Sequence, residues 1–154
     1  MQDRERATNS AMLIRKPVSE VFAAFINPEI TTNFWFSDST GKLEKGKTLV
    51  WSWAMYGVST EVKVEEIIED RLIKFSWEGP APKVEIEFEP MQENSCYVTI
   101  KNYGCKLEGH DLVMALVDQS CGFTTLLDGL KAYMEYGLKL NLVADKFPHM
   151  RKEA

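Results

Sequence analysis

The chain is short of the residues on which most recognisable chemistry is built. Its 154 residues hold two histidines, His110 and His149, and three cysteines, Cys96, Cys105 and Cys121. An odd number of thiols without close metal-ligand spacing argues against a disulfide framework and against a structural zinc site, and suits buried thiols in a reducing compartment. No Gly-rich phosphate cradle, metal-ligand cluster or nucleophile elbow occurs, so nucleotide and metal chemistry are without support, and neither a metal nor a cofactor is expected. No run approaches the roughly 20 apolar residues of a membrane span. The N-terminal MQDRERATNS is charged and lacks the apolar core of a secretory signal, which places the chain in the cytoplasm with no membrane partner. A net charge of −5 repels a phosphate backbone, so no nucleic-acid partner is expected.

What is present is apolar surface in two periods. The stretch Gly122 to Leu142 places Phe123, Leu126, Leu127, Leu130, Tyr133 or Met134, Gly137 and Leu138 at three- and four-residue spacing, which predicts one long amphipathic helix. Lys131, Glu135 and Lys139 fall opposite. So narrow a polar stripe over six turns needs cover on more than one flank, which a curved sheet supplies and a single partner helix does not.

The sheet is legible upstream. Ala11 to Arg15 reads as a first strand, stopped by Pro17, which suits the first helical position. Val18, Val21, Phe22 and Phe25 follow at helical spacing, and a second short helix is expected over Glu29 to Phe34. After a turn-rich crossing at Ser37 to Lys47 the period changes to two. Leu49, Trp51, Trp53 and Met55 alternate with their neighbours and should face inward; Val62 and Val64 follow, with a bulge or strand end where Ile67 and Ile68 break parity. Ile73, Phe75 and Trp77, then Val84, Ile86 and Phe88, then Cys96, Val98 and Ile100 continue the alternation, an antiparallel meander. The acidic side Glu61, Glu65, Glu85, Glu87 and Glu89 reads as a solvated outer face. Gly104 to His110 reads as a loop, and Asp111 as the cap of a short helix through Leu116, which Gly122 either kinks or separates from the long one. One domain over residues 1–154 is expected, with 1–7 and 149–154 frayed.

Strand, two short helices, five strands and a long final helix resemble the helix-grip fold of the START-like or SRPBCC superfamily, the α+β fold also seen in birch-pollen allergens. Three stretches carry the resemblance: Ile14, Pro17, Val21, Phe22, Phe25 and Pro28 followed by Trp35 and Phe36; GFTTLLDGLKAYMEYG at 122–137; and the ending Asn141 to Pro148. The latter two are similar to bacterial homologues of the activator of heat-shock protein 90 ATPase. The resemblance implies a curved antiparallel sheet wrapped around the C-terminal helix. It also implies three functional classes: a carrier of small hydrophobic molecules, a cochaperone-like module with heat-shock protein 90 as partner, or a cyclase-type enzyme.

If the sheet grips the helix, Trp35, Trp51, Trp53, Met55, Phe75, Trp77 and Phe88 confront Phe123, Leu127, Leu130 and Met134, and the two surfaces either interdigitate or leave a cavity for a small hydrophobic ligand. Tyr103 and Asn102 are the expected polar anchors. No catalytic residue is assigned; Glu66, at the parity break, and His110, in its loop, are the only candidates for moving a proton inside such a cavity. The chain is expected as monomer or homodimer.

Overall fold

The structure, a computed structural model, describes residues 6–152. In chain order the elements are β1 (Thr8–Ile14), α1 (Val18–Ile26), α2 (Pro28–Thr31), β2 (Asp38–Ser39), β3 (Thr48–Trp53), β4 (Val58–Ile68), β5 (Leu72–Trp77), β6 (Lys83–Met91), β7 (Ser95–Tyr103), α3 (Gly109–Tyr136) and α4 (Leu142–Lys146). Single 3-10 turns lie at Ala54–Tyr56 and Pro148–Met150.

All strands join one antiparallel sheet in the order β1-β7-β6-β5-β4-β3-β2. The register brings the alternating apolar residues onto one face: Met12 opposite Val98, Phe88 opposite Val98 on the other side, Ile73 opposite Ile86, Val64 opposite Phe75, Leu49 opposite Val62. Against this face α3 buries Phe123, Leu126, Leu127 and Leu130, and α1 buries Val21, Phe22 and Phe25. This is the helix-grip arrangement. The ladder slips between Val64 and Glu66, so Glu65 is the extra residue of a bulge that realigns Ile67 with Ile73. The edge strand β2 is two residues long and has no apolar period, which is why the sequence reads only as turns there.

Several expectations are corrected. The short helix after Asp111 and the long one after Gly122 are a single rod of 28 residues, with His110 in its first turn rather than in a loop. Glycine in a helix interior costs about 1 kcal/mol relative to alanine, too little to break so long a ladder. Asp111 does not cap the rod: its N-cap is Glu108, with no side-chain capping bond. The rod ends at Tyr136 and not at Leu142. Gly137 takes a left-handed φ of 67°, and the Leu138 N–H turns back to the Ala132 carbonyl at 3.2 Å, leaving Leu138 and Leu140 exposed. The second short helix closes at Thr31, whose hydroxyl donates to the Ala24 carbonyl at 2.6 Å. Of the ends expected to fray, residues 1–5 and 153–154 lie outside the described residues. Arg6 is held by Leu107 O and Glu108 Oε1, each at 2.9 Å, and the Lys152 N–H donates to Met55 O at 2.6 Å.

The acidic outer face is not simply solvated. Lys83 Nζ sits 2.6 Å from Glu65 Oε1 across the intervening β5, while Lys101 Nζ lies 3.0 Å from Glu87 Oε1 and Lys74 Nζ 3.9 Å from Glu85 Oε1 on adjacent strands, so the bulge carboxylate and its neighbours are neutralised by lysines of other strands. Desolvation raises the pKa of Glu65, but hydrogen bonds from Lys83 and Ser76 and the charges of Lys83 and Lys74 together outweigh it and hold the carboxyl below its ordinary value.

The rod is pinned to β1 by a second ionic knot. Lys131 Nζ donates to Leu13 O at 2.8 Å and to Glu135 Oε2 at 2.6 Å, and the same carboxylate accepts the Arg15 N–H at 2.9 Å. Burial of Glu135 raises its pKa, yet the Lys131 and Arg15 hydrogen bonds and charges prevail, and the carboxyl lies below the ordinary 4.5. Glu135→Gln is expected to lower stability by about 1 to 2 kcal/mol. Because the folded pKa is depressed, this difference is full above the unfolded value of 4.5 and fades as pH falls through the lower folded value. Urea denaturation of both proteins between pH 7 and pH 3 measures it; a gap that widens towards acid contradicts the assignment.

Candidate functional site

One helix does not cover the whole concave face. At the end of the sheet where β3 stops, β4 starts and β5 stops, Trp53 lies opposite Val58 and Val62 opposite Trp77. Trp53, Val58 and Trp77 face α3 across a gap, and the segment between α2 and β2 inserts Trp35 into it. The result is an open-mouthed cleft of about 780 Å³, within the range usual for small-molecule sites. Its floor is aromatic. Trp35 is the hub, with ring centroids 4.8 Å from Trp51, 6.1 Å from Trp77 and 6.4 Å from Phe123, while Trp77 and Phe123 stack at 5.8 Å and 23°. The Trp77 indole N–H is committed to Ala81 O at 3.2 Å, which fixes the ring.

One rim is the middle of α3, where Asp118, Gln119, Cys121, Gly122, Phe123 and Thr125 line the cleft. Apart from its chain neighbours and the helix's own backbone, no atom of the described residues lies within 4 Å of where a Cβ on Gly122 would stand, so this glycine faces open space in the wall. The opposite rim is the C-terminal segment, which crosses the cleft as a strap. After Gly137 and a left-handed Asn141 (φ 57°) the chain folds back through α4, presenting Val143, Lys146, Phe147 and Met150. Tyr56 clasps it: its hydroxyl donates to the Val143 carbonyl and approaches the Ala144 carbonyl at 3.2 Å, and it accepts the Phe147 N–H at 3.3 Å. The Tyr56 and Phe147 rings meet edge to face at 6.2 Å, and Lys146 Nζ lies 3.1 Å from Thr125 Oγ1.

Of the residues expected at a cavity, Trp35, Trp53, Trp77 and Phe123 are on this cleft. Trp51, Phe75, Phe88, Leu127 and Leu130 are not; they are packed in the core, because alternation assigns a face of the sheet but not a position along it. Met134 packs against the same core. Met55 lines a separate pocket of about 240 Å³ on the other side of the strap. Asn102 is buried and spends its amide N–H groups on Ala81 O and Lys83 O, and Tyr103, at the end of β7, lies on the opposite face of the sheet beside Asn9, Glu85 and Lys101. Neither is an anchor for the cleft. Glu66 points to Lys45 at 3.1 Å, and that hydrogen bond, outweighing desolvation, lowers its pKa; His110 is exposed at the start of α3. Neither lines the cleft. The residues that sequence reasoning missed are Tyr56, Cys121, Thr125, Val143, Lys146 and Phe147. The signal available was the apolar Val143 and Phe147 beyond the helix end, which needed a surface to cover.

The thiols divide by the same geometry. Cys96 and Cys105 are buried, and Cys121, against expectation, is exposed on the cleft rim. Burial pushes the Cys96 thiol up to about 11, only partly offset by its hydrogen bond with the backbone of Glu89. Ellman's reagent is expected to titrate one thiol in the native protein, removable by Cys121→Ser, and three after denaturation; rapid native reaction of a second thiol contradicts this burial.

Among curated proteins no match was found. A solved protein of Staphylococcus saprophyticus is 30% identical to the chain, with a TM-score of 0.77 over 87% of this chain and 95% of that one. Two more distant structures share the fold: the Aha1 dimer from Colwellia psychrerythraea, at 17% identity and a TM-score of 0.70 over 85% of this chain and 97% of that one, and DynU16, a protein in the dynemicin biosynthetic locus, at 16% and 0.73 over 87% and 49%. The family described as "Activator of Hsp90 ATPase homolog 1-like protein" matches residues 15–135, from the end of β1 to the last turn of α3. With that match spanning strands β2 to β7 and the helix they grip, the chain belongs to this family, on the helix-grip fold of the START-like, or SRPBCC, superfamily.

Proposed function

We propose that the protein binds a small hydrophobic molecule in the cleft between the β3–β5 end of the sheet, the middle of α3 and the C-terminal strap. The observation that carries this is the unfilled aromatic floor: Trp35, Trp53, Trp77 and Phe123 border about 780 Å³ that no side chain among the described residues occupies. Trp35 and Phe123 are themselves buried, so the aromatic surface left open to water belongs mainly to Trp53 and Trp77; leaving it open costs about 25 cal/mol per Å², which a ligand that covers it recovers. The rings are held by the core behind them and by the Trp77 to Ala81 bond, so little ordering cost falls on binding.

Family membership also brings in a protein partner such as heat-shock protein 90. Against that reading, three of the five carboxylates on the outer sheet face pair with lysines of other strands instead of presenting a bare acidic surface.

Gly122 offers a test that leaves the core intact. Gly122→Phe adds a ring into open space on a helix that gains propensity from the change, so the variant is expected to keep or raise its melting temperature. Titrated with the neutral probe N-phenyl-1-naphthylamine, the wild type is expected to enhance probe fluorescence with micromolar affinity and the variant to bind at least about tenfold more weakly. Absence of binding to the wild type, or equal binding to both, overturns the proposal.

A further inference from the structure

The cleft is mostly apolar, and among the described residues its wall carries two charged side chains, Lys146 and Asp118. Lys146, half-buried on the strap, reaches across to α3 and gives one hydrogen bond to Thr125 Oγ1 at 3.1 Å, with the Phe147 ring 5.8 Å from its Nζ. An ammonium carries three donors, and no ion pair engages Lys146 among the described residues. The adjacent Asp145 is taken by Arg151 at 3.7 Å on the exposed side. The other charge on the cleft is Asp118, seven residues before Thr125 on the same helix and therefore about 10 Å away along its axis. The cleft thus has an aromatic floor, a cation with donors to spare at one end, and a carboxylate at the other.

We infer that the ligand is an amphipathic organic acid: a ring-rich apolar body lying on Trp53 and Trp77 and against the exposed edge of Trp35, with a single anionic group seated against Lys146 and Thr125. This rests on the ligand-binding reading above and narrows its chemistry. A neutral hydrocarbon of the same shape fills the floor and leaves the ammonium without a counter-charge, whereas a carboxylate or sulfonate supplies one beside low-dielectric walls, where attraction exceeds that in bulk water. The orientation is fixed by the same charges, since the acid head is drawn to Lys146 and repelled by Asp118.

The matched probes 8-anilinonaphthalene-1-sulfonate and N-phenyl-1-naphthylamine differ only by the anionic group. Lys146→Met is expected to weaken the sulfonate by about five- to tenfold while leaving the neutral probe within about twofold. Lys146→Arg is expected to restore the sulfonate, and raised ionic strength to shrink the difference between wild type and Lys146→Met. Unchanged neutral-probe affinity and melting temperature show that the strap remains in place in the variant. Equal weakening of both probes, or no change in either, overturns the inference while leaving the cleft as a binding site. Failure of both probes to bind the wild type overturns the two readings together.

Discussion

A sheet that must bend around a single rod has more concave face than the rod can touch. Six strands of this protein carry apolar residues inward, and α3 presents Phe123, Leu126, Leu127 and Leu130 to them. Burying those residues is the dominant stabilising term, because each large side chain removed from water contributes roughly 1.5 to 3 kcal/mol. It also fixes where the excess face falls. Near β1, β6 and β7 the rod and α1 fill the concavity completely, with Ile14, Phe25, Phe88 and Ile100 sealed between them. Toward β3, β4 and β5 the covering element is no longer a helix but a run of rings.

Those rings divide one continuous cluster into core and site. Trp51 stacks on Phe36 at 4.6 Å and 22° and is wholly buried; Trp35, its neighbour at 4.8 Å, has one side in the same core and one on the cleft. Edge-to-face and offset contacts of this kind hold ring orientations more tightly than aliphatic packing does. The cleft floor is therefore a rigid extension of the interior, and rigidity there separates a formed pocket from a collapsible gap. The strap on the opposite rim is built differently. It is held by hydrogen bonds to Tyr56, one ammonium to Thr125 and a backbone bond at Lys152, contacts that open at less cost than a packed core.

The fold was readable wherever a period persisted. Alternation in Trp51 to Trp53, Ile73 to Trp77, Val84 to Phe88 and Cys96 to Ile100 identified strands and their inward faces, and helical spacing after Phe123 identified the rod. What stayed hidden had no period. Gly122 read as an interruption although its surroundings impose no break, and the two residues of β2 are too few to carry a pattern. For the site, an aromatic surplus was visible, but Trp51 and Trp53 are equivalent in sequence and differ only in distance from the sheet's end. Lys146 and Phe147 reach the cleft through left-handed turns at Gly137 and Asn141, a path that side-chain periodicity does not encode.

The bond from Lys152 to Met55 has a practical corollary. With Gly57 left-handed and the Lys152 side chain 3.2 Å from where its Cβ would stand, the last described residue lies against the β3–β4 turn, close to Val58 at the mouth of the cleft. A handle or reporter joined beyond Lys152 therefore starts close to the mouth of the cleft. β1, the first described strand, lies toward the opposite edge of the sheet from β3 and so away from that mouth.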